Sequence, residues 1–140
     1  MTTRHLAFFG ILILVCTVSY GVAANTINDE SMQSYYAAWT KGDVDGVMSY
    51  FTDDIVYADV ATGARSSGTT EVRAFVQKFV DNYAGVKLAA ASITIGESSA
   101  AVEWVMSGGT GDEAWSIPGV CVFKIVDGRF SSATDYWNKE

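Results

Sequence analysis

The spacing of apolar residues changes at Gly85, and this change limits the fold more than any other feature. Before Gly85, apart from one short strand-like stretch, apolar side chains recur every three or four residues, which is the period of an amphipathic helix. After it, they recur at every second residue between turn-forming residues, which is the pattern of strands. Helices that come first and strands that come last predict an α+β domain, with a curved antiparallel sheet covered by helices on one face.

The first part of the domain is predicted to form two helices, a strand and a third helix. The first helix ends at Gly42, and Asp43 caps a second, short helix. The stretch IVYAD, residues 55–59, is predicted as a strand, and the following TGARSSG as a loop. A third helix, capped by Thr69 or Thr70, has the clearest helical period in the chain.

Four strands are predicted in the second part, and they read VKLAAASITIG, AAVEWVMSGG, SIPGVCVFKIV and RFSSATDYWN. The stretches GESS and DG are predicted as hairpin turns between them. Asp127-Gly128 is the strongest of these turn signals, because a type I′ turn needs positive φ at both central residues.

The first 24 residues are predicted to be a secretory signal peptide, which leaves residues 25–140 as a single domain. The segment has a basic start, MTTRH, then a long apolar run, then the small residues VAA. The alternative is a retained membrane anchor, because the apolar run approaches the roughly 20 residues that span a bilayer. With the signal cleaved, the domain is expected to be secreted or periplasmic, without stable membrane association.

Composition excludes several classes of function. The mature domain carries 8 basic and 16 acidic residues, a net charge of −8, so nucleic acid and anionic membranes are poor partners. The single histidine, His5, and one of the two cysteines, Cys16, lie in the predicted signal peptide. No histidine relay, Cys/His zinc site or internal disulfide is therefore expected, and neither a metal nor a cofactor is predicted.

The stretch YYAAWTKGDVDGVMSYFTDDIVYADVATGARSSGTTEVRAFVQKFV and the late DGRFSSATDYWN resemble the SnoaL-like group of the nuclear transport factor 2-like (NTF2-like) superfamily. The most specific pieces are Gly42-Asp43, the run from Phe51 to Asp59, and the closing DYW. The resemblance implies a cone-shaped sheet wrapped around a long helix, with a deep apolar cavity between them. A homodimer formed through the outer face of the sheet is a further expectation from the family.

The resemblance to ketosteroid isomerases implies two catalytic residues. Their general-base aspartate matches Asp59, and their oxyanion-binding tyrosine matches Tyr35, whereas Tyr36 is expected to point elsewhere on the helix. Burial of a carboxyl in an apolar cavity raises its pKa, and a phenol can donate a hydrogen bond to an enolate oxygen. Where those isomerases carry a protonated aspartate, this chain has Cys121.

The closing DYW is similar to limonene-1,2-epoxide hydrolases, whose matching aspartate activates water, and this implies an acid–base role for Asp135. Those enzymes carry an arginine and an aspartate on the strand that here has Glu103 and no arginine. Polyketide cyclases of the group use an aspartate, commonly with a histidine. The residues predicted to contact a ligand are Tyr57, Trp104, Cys121, Phe123 and Trp137.

The function expected from these residues is binding of a small apolar molecule, with proton transfer next to a carbonyl. A non-catalytic binding or dimerisation module and an epoxide-hydrolase-like enzyme are the alternatives. Each candidate also has a purely structural interpretation. Asp59 would be a turn residue, Tyr35 a core residue, Asp135 a local hydrogen-bond acceptor and Cys121 a small buried hydrophobe.

Overall fold

A computed structural model describes residues 26–138 as one α+β domain, which agrees with the predicted fold class. The signal peptide predicted for residues 1–24 lies outside the described residues. Within them, no helix is both long and apolar enough to cross a membrane. The helices are α1 (Asp29–Lys41), α2 (Val44–Met48) and α3 (Gly68–Asn82), and the strands are β1 (Phe51–Asp59), β2 (Ala64–Ser67), β3 (Lys87–Ile95), β4 (Ser99–Gly108), β5 (Trp115–Val126) and β6 (Arg129–Trp137).

The six strands form one curved sheet in the order β2-β1-β6-β5-β4-β3. Strands β1 and β6 run parallel, and every other neighbouring pair is antiparallel. The sheet is therefore mixed, and the prediction of an antiparallel sheet was wrong at this one pairing. Alternating apolar residues identify strands without indicating their neighbours, so the pattern held no sign that the last strand returns beside the first.

The stretch TGARSSG, predicted as a loop, contains the edge strand β2. Its side chains are mostly exposed, so it has no apolar alternation. It is held by antiparallel pairing with the end of β1, where Ala64 lies opposite Asp59. Helix α3 then begins directly at Gly68, before the predicted caps Thr69 and Thr70. Its N-cap is Ser67, whose backbone N–H donates to Glu71 at 2.8 Å.

Three predicted caps and turns are confirmed. Gly42 ends α1 in the left-handed region at φ 68°, and the Asp43 side chain accepts from the backbone N–H of Gly46 at 2.9 Å. Asp127 and Gly128 have φ values of 50° and 70°, as a type I′ turn requires.

The helices cover the inner face of the sheet and share its core. The Tyr35 ring, 1% exposed, lies edge-on to the rings of Phe51, Phe123 and Phe130. The hydroxyl of Thr40 donates to the carbonyl of Leu88 on β3 at 2.9 Å, which holds the end of α1 on the sheet.

Replacing Gly42 with alanine is expected to lower the free energy of unfolding by about 1–2 kcal/mol, because the left-handed region strains an L-residue. Its new Cβ would also lie 3.0 Å from Val80 Cγ1. Gly63→Ala is the matched control, since Gly63 has φ 73° and a Cβ added there would have no neighbour within 4 Å. Urea unfolding should show the larger loss for Gly42→Ala, and an equal or smaller one would contradict a contribution from the Val80 contact.

Candidate functional site

A cavity of about 390 Å³ lies between the inner face of the sheet and helices α1 and α3. Exposed residues of α3 and of the turn after β1 mark its opening, and these include Lys78, Asn82 and Thr62. The wall is largely aromatic and includes Tyr35, Tyr36, Trp39, Tyr57, Phe75, Phe79, Tyr83, Trp104 and Trp137. Such a wall suits a ligand with an apolar body.

Two carboxylates, Asp59 and Asp135, lie side by side in the wall. The parallel pairing of β1 with β6 places them directly opposite each other in register. Ala133 and Trp137 face inward with Asp135, as its predicted inward orientation required, because alternate residues of a strand share one face. The structure therefore brings together two acids that are 76 residues apart in the sequence.

Asp135 accepts hydrogen bonds on both of its carboxylate oxygens. Tyr57 donates its hydroxyl to Oδ2, and Trp104 donates its indole N–H to Oδ1 at 3.0 Å. The Cys121 thiol, directly opposite on β5, is a third donor.

The pKa of Asp135 is raised to about 6, because burial and, to a smaller extent, the nearby charge of Asp59 raise it by more than the three donors lower it. A group with this pKa exchanges its proton near neutral pH. It is therefore suited to general acid–base work.

Asp59 is both a turn residue and a residue of the cavity wall, which are the two interpretations that the sequence left open. Its Oδ1 accepts the backbone N–H of Thr62 at 3.1 Å, as a turn residue would. The same oxygen accepts the indole N–H of Trp137 at 3.0 Å, and the side chain lines the cavity. Each carboxylate thus has one tryptophan as a donor, Trp104 for Asp135 and Trp137 for Asp59.

The Trp104 side chain reaches Asp135 by lying across the backbone of β5 at Gly119. A Cβ added to Gly119 would lie 2.2 Å from the indole ring of Trp104, which is closer than real Cβ contacts. Gly119 lies between Trp104 on β4 and Trp137 on β6 in the sheet register. Only glycine at this position leaves room for the ring in this place.

The two neighbouring tyrosines of α1 both line the cavity, so the expectation that Tyr36 points elsewhere was wrong. The curved sheet surrounds enough of α1 for adjacent positions to reach the same space. Tyr35 has a side-chain hydrogen bond with Trp39. Tyr36 is 3% exposed, and its buried hydroxyl has no hydrogen-bond partner within residues 26–138.

Two other predicted ligand contacts differ in outcome. Cys121 lines the cavity, and burial raises the pKa of its thiol, which stays protonated and acts as a donor to Asp135. Phe123 was predicted to contact a ligand, but it is fully buried and is not among the lining residues. Its ring lies 4.3 Å from that of Phe130, in the core beneath Tyr35.

Several lining residues were missed by sequence reasoning. Phe75, Phe79 and Asn82 lie at helical spacing on α3 and form the wall opposite the sheet. Their spacing was visible as a helical period, but it did not distinguish a cavity wall from a packed core. Within residues 26–138, no group of three or more His, Cys, Asp or Glu side chains could hold a metal ion.

A family model described as the SnoaL-like domain matches residues 32–133. The chain belongs to this family. No curated protein sequence matches the chain.

Several solved structures share the NTF2-like fold of this SnoaL-like domain. One is a protein with a ketosteroid isomerase-like fold from Catenulispora acidiphila DSM 44928, in complex with trimethylamine, at 18% identity and a TM-score of 0.71, covering 80% of this chain and 88% of that chain. An LEH-like epoxide hydrolase of M. tuberculosis has 20% identity and a TM-score of 0.64, with 78% and 80% covered. A candidate SnoaL-like polyketide cyclase from Shewanella denitrificans OS-217 has 18% identity and a TM-score of 0.63, with 78% and 88% covered. At these identities the likeness establishes the fold alone.

Replacing Trp104 with phenylalanine is expected to raise the pKa of Asp135 above about 6, because the indole hydrogen bond that favours the carboxylate is lost. Gly119→Ala should act in the same direction by displacing the ring. Trp137→Phe is the matched control, since its N–H donates to Asp59 instead. Carbon-13 NMR titration of the aspartate carboxyl groups measures the shift, and an unchanged Asp135 titration in Trp104→Phe would contradict the assigned hydrogen bond.

The stability of the protein is expected to fall as the pH rises from about 4 to about 6. The pKa of Asp135 is raised from 3.8 to about 6 on folding, so the folded protein binds the extra proton in this interval and loses its advantage as that proton dissociates. Asp135→Asn should remove a fall of up to about 3 kcal/mol.

Unfolding in urea at pH 4 and pH 7 measures this dependence. Asp53→Asn, at an exposed position of β1, removes a carboxylate outside the cavity and should retain the fall. Persistence of the fall in Asp135→Asn would show that another group is responsible.

Proposed function

We propose that this SnoaL-like domain binds a small, largely apolar molecule in its cavity and that Asp135 transfers a proton to or from that molecule. The observation that carries the proposal is the placement of Asp135 in an aromatic wall, with a pKa of about 6 and three hydrogen-bond donors. The donors hold the carboxyl in place, and burial keeps its pKa near neutral pH. Together these features describe a positioned general base.

The reaction class supported best is proton abstraction next to a carbonyl, as in isomerisation or aldol cyclisation. As a carboxylate, Asp135 accepts the proton, and the carboxylic acid that this step forms can return the proton to another carbon. Asp59 is the second acid–base group, one strand away. These roles reverse the order inferred from the isomerase resemblance, where Asp59 was the base, because the environment of Asp135 raises its pKa to about 6, near the working range.

The proposal also covers the location of the protein and its assembly. Secretion or a periplasmic location is supported by the order of basic, apolar and small residues in the first 24 positions. A homodimer through the outer face of the sheet is supported by the exposure of Val122 and Tyr136 on β5 and β6, at 42% and 50%.

Deuterium exchange tests the catalytic proposal directly. The protein is incubated in D₂O with a panel of aryl and cyclic ketones, and NMR follows deuterium entering the carbon next to the carbonyl. Asp135→Asn is expected to lower the catalysed rate at least 100-fold, since a positioned general base contributes roughly 10²–10⁴. The wild-type rate should rise as the pH passes about 6, where Asp135 loses its proton.

The control is Glu103→Gln, because Glu103 is exposed on β4 and does not line the cavity. This variant should retain the wild-type rate. Equal exchange by wild type and Asp135→Asn would remove Asp135 from the reaction, whereas loss in Asp59→Asn alone would restore the order inferred from the isomerases.

A second candidate is a non-catalytic binding protein for a small alkylammonium ion. Aromatic faces attract such cations, and two carboxylates lie within the same wall. The solved structure from Catenulispora acidiphila, which contains trimethylamine, lends this candidate support. Calorimetry with tetramethylammonium separates the two, because tight binding of this cation without exchange on any ketone favours the binding protein.

Epoxide hydrolysis remains a weaker alternative. Asp135 could activate a water for it, and an LEH-like epoxide hydrolase shares the fold. Strand β4 carries no arginine, and its Glu103 does not line the cavity. This strand therefore supplies no charged partner to Asp135 at the wall.

A further inference from the structure

We propose that the Tyr36 hydroxyl binds a hydrogen-bond acceptor of the ligand, so that the cavity takes an apolar molecule bearing a ketone-type carbonyl. This inference rests on the proposed function, because it assumes that the cavity is the ligand site. It assigns the contact to Tyr36, whereas the isomerase resemblance implied Tyr35.

The first observation is the difference between the two neighbouring tyrosines. Both side chains are more than nine-tenths buried, and their rings meet edge-on at 5.2 Å. The Tyr35 oxygen accepts the indole N–H of Trp39, whereas the Tyr36 hydroxyl has no partner, as donor or as acceptor, within residues 26–138. A buried hydroxyl left without a partner costs roughly 1–3 kcal/mol, so a ligand that supplies an acceptor recovers free energy at this atom.

The second observation is where Tyr36 lies. Its side chain lines the cavity together with Cys121 and Asp135, and both of these groups act electrostatically on its hydroxyl. Burial raises the pKa of Tyr36 well above its usual value, so the phenol keeps its proton and can donate it. A carbonyl oxygen held by Tyr36 would bring the neighbouring carbon toward Asp135.

This arrangement gives the two groups complementary roles. Asp135 removes the proton from carbon, and the electron pair of that C–H bond moves into the carbonyl to leave an enolate oxygen. Tyr36 donates a hydrogen bond to that oxygen, which strengthens as negative charge develops. The proton stays on Asp135 until it returns to carbon, so no other reactant is required.

The experiment compares two probes of nearly identical shape. 2-Acetylnaphthalene carries a carbonyl oxygen, and 2-isopropenylnaphthalene has a methylene group in its place. Wild-type protein is expected to bind the ketone about tenfold more tightly than the alkene, because only the ketone pairs with the buried hydroxyl. Tyr36→Phe should abolish this preference, and Tyr136→Phe, the matched control at an exposed tyrosine that does not line the cavity, should retain it.

Stability without a probe supplies an independent readout. Tyr36→Phe is expected to leave the urea midpoint unchanged or to raise it, because the lost hydroxyl has no partner among the residues that the structure describes. Tyr35→Phe should lower the midpoint, because it removes a hydrogen bond. A lower midpoint for Tyr36→Phe would show that the hydroxyl serves the fold and would overturn the inference.

The remaining outcomes separate this inference from the proposed function. Tighter binding of the ketone by wild type and Tyr36→Phe alike would overturn the role of Tyr36 and leave the cavity as the ligand site. Equal affinity of wild type for both probes would also overturn it. Failure of wild type to bind either probe or any ketone of the exchange panel would overturn both proposals together.

Discussion

The parallel pairing of β1 with β6 is the contact on which the site depends. It joins the first and last strands of the chain as neighbours within the sheet and brings Asp59 and Asp135 to the same level of the inner face. Both side chains face the cavity because each strand alternates in the same phase. A slip of one residue in this register would turn one carboxylate outward and leave an aromatic cavity with a single acid.

The environment of Asp135 is a balance between burial and hydrogen bonding. Burial favours the protonated carboxyl and raises its pKa, whereas the donors Tyr57, Trp104 and Cys121 favour the carboxylate and lower it. The result is an acid with a pKa of about 6. Each donor comes from a different strand, so the acidity of this one group depends on the assembly of four strands of the sheet.

How far the sequence predicts the molecule depends on the range of the interaction. Local signals such as the Gly42 cap, the Asp43 cap and the Asp127-Gly128 turn are confirmed, because each is decided by a few neighbouring residues. Strand β2 and the β1–β6 pairing were missed because backbone pairing with a distant strand determines them. The side-chain patterns of these strands give little indication of which strand each one pairs with.

The candidate site also has features that the sequence predicts and features that it does not. The resemblance identified Asp59, Tyr35 and Asp135 as candidates, and all three line the cavity. It did not indicate which tyrosine hydroxyl has no partner within residues 26–138, since this depends on the indole N–H of Trp39, which donates to the Tyr35 oxygen. Nor could alternation separate Phe123 in the core from Cys121 at the wall, because both face inward on β5.

The absence of a side chain at Gly119 has a consequence for how this cavity can change over evolutionary time. The indole of Trp104 occupies the space that a Cβ on β5 would fill, so the residues at these two positions cannot vary independently. A larger residue at position 119 would move the ring and weaken a bond to Asp135 without altering either carboxylate. A residue without a side chain thus offers a route by which a descendant of this chain could raise the pKa of Asp135 and adapt to a more alkaline habitat.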